Sequence, residues 1–147
     1  MVMVPTIATA DRHRYDARLS AHRHRQEQKR ALYRSADGKT RVACAVSKQY
    51  EDGGYWYAYH PAWEDFLAQG EGAFFVLGCV YQDVAYALPY DEIHGVLEWL
   101  HTTVRDDGKK YWHLVLAREV DETLALSLPK KGKRLNLQPY ATQLPPQ

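Results

Sequence analysis

Residues 73–100 read AFFVLGCVYQDVAYALPYDEIHGVLEWL, and this stretch decides the fold class. Ala73 to Val80 is a nearly unbroken apolar run, the pattern of a strand covered on both faces. Gln82-Asp83 breaks it, and Val84 to Leu88 is a second short apolar run. Together they predict a hairpin. Asp91 is a helix-capping residue, and Ile93, Val96, Leu97, Leu100 and Val104 follow at 3.6-residue spacing. A helix is therefore expected from Asp91 to about Thr103, stopped by Asp106-Asp107-Gly108. Two strands followed by an amphipathic helix imply a sheet with helices packed against it.

Upstream, Arg41 to Val46 predicts a buried strand. Glu51-Asp52-Gly53-Gly54 predicts a turn, and Tyr55 to His60 an aromatic strand paired with the first. Pro61 opens a helix to Gln69, with Trp63, Phe66 and Leu67 on its core face and Gly70 as its stop. Downstream, Lys110 to Arg118 and Glu122 to Leu128 read as a third hairpin. Leu135 and Leu137 suggest a short edge strand. The reading is a single α+β (or α/β) domain over residues 40–140. It has a mixed, mostly antiparallel sheet of three hairpins and two packed helices. Residues 1–10 and 141–147 are expected to be flexible ends.

The 147 residues suit one domain. Lys+Arg is 19 against Asp+Glu 18, so the net charge of +1 does not by itself mark a nucleic-acid binder. The distribution is uneven. Residues 11–34 (DRHRYDARLSAHRHRQEQKRALYR) hold seven Arg and one Lys against three acids, a local balance of +5. The stretch lacks Gly and Pro and is rich in helix formers, so a basic helix over 11–36 is expected, closed by Asp37-Gly38. Arg12, Arg14, Arg18, Arg23, Arg25 and Arg30 are candidate phosphate contacts, because a guanidinium binds phosphate in a fork. The same helix could instead dock on an acidic partner or dimerise.

Two cysteines exclude a disulfide scaffold and a four-thiolate zinc site. Cys44 and Cys79 both sit among apolar strand residues and read as small buried hydrophobes. No apolar run is long enough to span a membrane, and no signal peptide is evident, so a cytoplasmic protein is expected. His60, His94, His101 and His113 are candidate metal ligands, without any known ligand spacing. No nucleophile motif, phosphate loop or dinucleotide fingerprint is present. No cofactor is expected.

The aromatics carry more. On alternating strand geometry Tyr55, Tyr57 and Tyr59 share one face, with Trp56, Ala58 and His60 on the other. Tyr111 and His113 point away from the core-facing Trp112, Leu114 and Leu116. Tyr55, Tyr57, Tyr59 and His113 are therefore candidate base-stacking residues, with Lys130 and Lys131 in a nearby basic loop.

The cadence SKQYEDGGYWYAYHPAWEDFL, AFFVLGC and VAYALPYDEI, over roughly residues 44–100, resembles the post-catalytic half of restriction-endonuclease-like (PD-(D/E)XK) proteins. The acidic pair and lysine of that family have no counterpart before Tyr55. The resemblance thus implies a catalytically silent relative or a fragment of a larger nuclease, with a DNA-related role in restriction or phage defence. Three functions stay open. The leading one is a small non-enzymatic DNA- or RNA-binding protein. The others are an interaction module whose basic helix meets an acidic protein, and a metal-dependent enzyme built on the histidines.

Overall fold

The computed structural model describes residues 31–143. The six arginines from Arg12 to Arg30 lie outside the described residues. Within them the chain forms ten strands and two α-helices. They run β1 (Leu32–Arg34), β2 (Thr40–Ser47), β3 (Tyr55–Tyr59), α1 (Pro61–Ala68), β4 (Gly72–Cys79) and β5 (Val84–Pro89). Then come α2 (Tyr90–Val96), β6 (Thr102–Val104), β7 (Lys110–Arg118), β8 (Leu124–Leu128), β9 (Lys133–Asn136) and β10 (Ala141–Gln143). The α+β class is as the sequence implied.

The strands make two sheets, where the sequence pattern implied one. Sheet A has the order β1-β2-β4-β5-β10 and sheet B the order β3-β7-β8-β9, with β6 also on β7. All pairs are antiparallel except β2 with β4, which run parallel from Thr40↔Gly72 to Ser47↔Cys79. The segment between them, which includes β3 and α1, is the crossover that a parallel pair requires.

The expected pairing of β2 with β3 is therefore wrong, and the residues explain why. β2 (TRVACAVS) is apolar on both sides, which suits a central strand covered on both faces. β3 (YWYAY) alternates buried and half-buried, which suits a sheet with one face in water. The hairpins β4–β5 and β7–β8 form as expected, and Leu135 does lie in an edge strand, β9.

Three further expectations are corrected. The basic helix does not extend to residue 36, because Leu32–Arg34 is an edge strand on β2. Asp37-Gly38 is the hairpin turn between them. Gly38 takes the left-handed φ of +74°, and the Asp37 carboxylate accepts from the Ser35 hydroxyl and the Lys39 amide. The second helix stops at Val96 and passes through a 3-10 turn, Leu97–Trp99. Thr102-Thr103-Val104 is β-branched and pairs with β7 instead. Ile93, Leu97 and Leu100 are buried as the periodicity implied, but Val104 is exposed. Finally, Ala141–Gln143 is not a frayed end. It pairs with β5, which would otherwise leave an apolar edge open.

One core fills the space between the sheets. Ala43, Phe75, Leu77 and Leu88 of sheet A meet Tyr57, Leu114, Leu116 and Leu126 of sheet B, and Trp63, Leu67 and Ile93 add the helices. Arg41 ties α1 to sheet A. Its guanidinium lies 4.7 Å from the Phe66 ring centroid, and Nη1 donates to the Phe66 carbonyl at 3.2 Å. A cation there meets the negative end of the helix.

Candidate functional site

Tyr55, Tyr57 and Tyr59, expected on a stacking face, are 1%, 2% and 0% exposed. Their rings are core. Tyr57 donates to the Gly78 carbonyl at 2.8 Å, Tyr55 to the Val80 carbonyl at 2.7 Å and Tyr59 to Glu64 at 2.8 Å. This face turns inward because it meets Phe75 of sheet A, 5.1 Å from the Tyr59 ring between centroids, and Leu114 of β7. None of the three tyrosines is placed to meet a nucleic acid.

The opposite face of β3 is half-buried and continues onto β7. Ala58 stands opposite His113, and Trp56 opposite Val115. The small Ala58 leaves room for the larger rings around it. His113 lies 5.1 Å from Tyr111 and 5.6 Å from Trp56, between ring centroids. Tyr111 is 6.0 Å from His60, and His60 is 4.8 Å from Trp63. Trp56, His113, Tyr111 and His60 form one aromatic band across the outer face of sheet B, and Trp63, which His60 touches, belongs to the core.

Hydrogen bonds fix the centre of the band. The Trp56 indole N–H donates to His113 Nδ1 at 3.0 Å. An indole only donates, so Nδ1 accepts and Nε2 carries the proton. Nε2 then donates to the Thr103 hydroxyl at 2.6 Å. His113 is held between strands β3 and β6 in one tautomer, which orients it and Trp56 together. His60, at the end of the band, has its basicity lowered. Burial is the main cause, and the charge of Arg105 adds to it.

Cations gather at one end of this sheet. The β6–β7 turn carries Arg105 and Lys109, and Lys110 opens β7. β8 runs antiparallel to β7, so its following turn, with Lys130 and Lys131, lies toward the same end. Lys110 Nζ is 5.3 Å from the Trp112 ring and Lys131 Nζ 5.1 Å from Trp99. Asp107 in the first turn is engaged with the Lys109 amide at 2.9 Å. The far end is different. There Glu119 takes the side chain of Arg134 at 2.6 Å beside a depression lined by Val120, Asp121, Thr123, Ala125 and Asn136.

A second polar group lies between α1 and α2. Glu64, on α1, accepts from Tyr59, from Tyr90 at 3.0 Å and from His94 Nδ1 at 2.5 Å. Burial, then the bond to Glu64, pushes the Tyr90 hydroxyl up to about 12. The carboxylate is 14% exposed and the imidazole 61%. This group locks two short helices together and keeps a carboxylate satisfied at the core boundary. Residue spacing did not announce it, because Glu64 and His94 are 30 positions apart.

The four candidate metal ligands do not converge. His60 and His113 both flank Tyr111, and His94 is paired with Glu64. Among the described residues no group of three or more His, Cys, Asp or Glu side chains is placed to hold a metal ion. Cys44 and Cys79 are both buried, and burial raises the Cys79 thiol to about 11. No helix among the described residues is long and apolar enough to cross a membrane. No protein family, curated protein or solved structure matches this chain.

Proposed function

We propose that this protein binds single-stranded nucleic acid on the outer face of sheet B. Trp56, Tyr111 and His113 are the stacking platform. Arg105, Lys109, Lys110, Lys130 and Lys131 follow the backbone, and the arginine-rich stretch before residue 31 adds phosphate contacts. The observation that carries the reading is the half-buried aromatic band, continuous from Trp56 to His60, with Arg105 near enough to its His60 end to act on that imidazole. Flat rings on a sheet suit bases that are free to stack, which a duplex does not offer. The resemblance to restriction-endonuclease-like proteins points the same way, toward nucleic acid.

Fluorescence anisotropy with labelled single- and double-stranded oligonucleotides, over a range of salt concentrations, tests this. The single strand is expected to bind more tightly, with affinity falling as salt rises. Replacing Arg105 and Lys109 together by Ala should flatten the slope of log affinity against log salt by about 0.7 for each phosphate no longer neutralised. Equal binding of duplex and single strand would move the site off the aromatic face.

A further inference from the structure

Bases are told apart best by arginine, asparagine, glutamine and carboxylate groups, whose rigid, paired polar atoms fit one base edge and not another. None of these belongs to the aromatic band of sheet B. The outward positions are Trp56, Ala58 and His60 on the β3 side, and Tyr111, His113 and Val115 along β7. Ala58 and Val115 have no polar side-chain atom. Val115 is 40% exposed and stands opposite Trp56, so the band continues there as plain apolar surface.

The two rings at the centre have already used their polar atoms on each other and on Thr103. The Trp56 indole has one, and it donates to His113 Nδ1. His113 has two, and the second donates to the Thr103 hydroxyl. Thr103 is the cross-strand partner of Tyr111, so it lies on the same face. A base laid on Trp56 or His113 meets a ring face and no unpaired donor or acceptor. Polar groups remain only at the margin, in the hydroxyls of Thr103 and Tyr111 and the imidazole of His60. A hydroxyl turns to donate or to accept, as the base requires. Among the described residues the His60 ring touches Trp63 and Tyr111 and has no side-chain hydrogen bond, so neither tautomer is imposed on it.

We propose that the band binds single strands without regard to base identity, because its centre holds no unpaired donor or acceptor. The inference rests on the reading of sheet B as a nucleic-acid site. Stacking is open to every base, and Arg105 and Lys109 would meet phosphates, which carry no sequence. The substrate class is then the unpaired strand as such, recognised by its accessible base faces and its charge.

A library of random-sequence single strands tests this on the intact chain. Strands retained by the wild type at low salt are sequenced and compared with the input. Retention is expected, with no base or short sequence enriched by as much as about fivefold, since stacking alone gives only modest preferences. One bidentate base contact would discriminate by roughly five- to hundredfold, so an enrichment of that order overturns the inference. It would leave the nucleic-acid reading standing, whereas retention of no strands overturns both. His113→Phe, checked for native circular dichroism, tests the cause. Phenylalanine keeps a stacking ring but leaves the Trp56 N–H unpaired on the face. This variant is expected to gain a base preference of about fivefold, the worth of one hydrogen bond. A natively folded variant as tolerant as the wild type overturns the proposal, because the pairing would then not be what makes the site indifferent to sequence.

Discussion

Tyr57 and Trp56 are neighbours with opposite duties, set by the alternation of a strand. Tyr57→Phe removes a buried donor to the Gly78 carbonyl. It is expected to lower stability by about 1–2 kcal/mol in urea denaturation, without touching the outer face. His60 provides a pH test. Its folded-state pKa lies below the ordinary 6.5, so the folded chain binds fewer protons than the unfolded chain near that pH. Its contribution to stability is complete above about pH 6.5 and is lost as pH falls toward the folded value. An NMR titration should place the His60 midpoint below 6.5. The melting temperature of His60→Gln should fall less than that of wild type between about pH 7.5 and about pH 5.5. At this scale the alternation of rings along β3 was legible in the sequence, but the choice of inner face was not. That choice depends on which side of β3 meets Phe75 and Leu114, a long-range fact.

Gly54 sits where the chain enters β3. A Cβ there would be driven against the backbone carbonyl of Leu116, which cannot swing aside as a side chain can. Gly54→Ala is expected to cost about 1–3 kcal/mol, read as a lower denaturation midpoint, by forcing β3 and β7 apart. Elements held together by neighbours in sequence were readable. The β4–β5 and β7–β8 hairpins follow from two apolar runs and a polar break, and α1 from Pro61 and its core face. The second helix shows the limit. Its apolar spacing correctly marked Ile93, Leu97 and Leu100 as core, yet a 3-10 turn keeps the same residues inward. The β-branched Thr102-Thr103-Val104 then found a partner in β7, and local periodicity has no view of that partner.

The described residues make two sheets around a shared core, with α1 and α2 packed against it. The split was hidden because β3 leaves its sequence neighbour β2 to join strands more than fifty residues later in the chain. The same split makes the aromatic band, since Trp56 and His113 meet only through the β3–β7 pairing. The central claim is that this band receives nucleic acid. The most direct measurement is anisotropy of a labelled single-stranded oligonucleotide with wild type, Trp56→Ala and Tyr57→Phe, each checked for native circular dichroism. The expected result is salt-sensitive binding that Trp56→Ala weakens by about 1–3 kcal/mol, roughly ten- to hundredfold, and that Tyr57→Phe leaves unchanged. No binding at low salt, or equal affinity for wild type and Trp56→Ala, would contradict it.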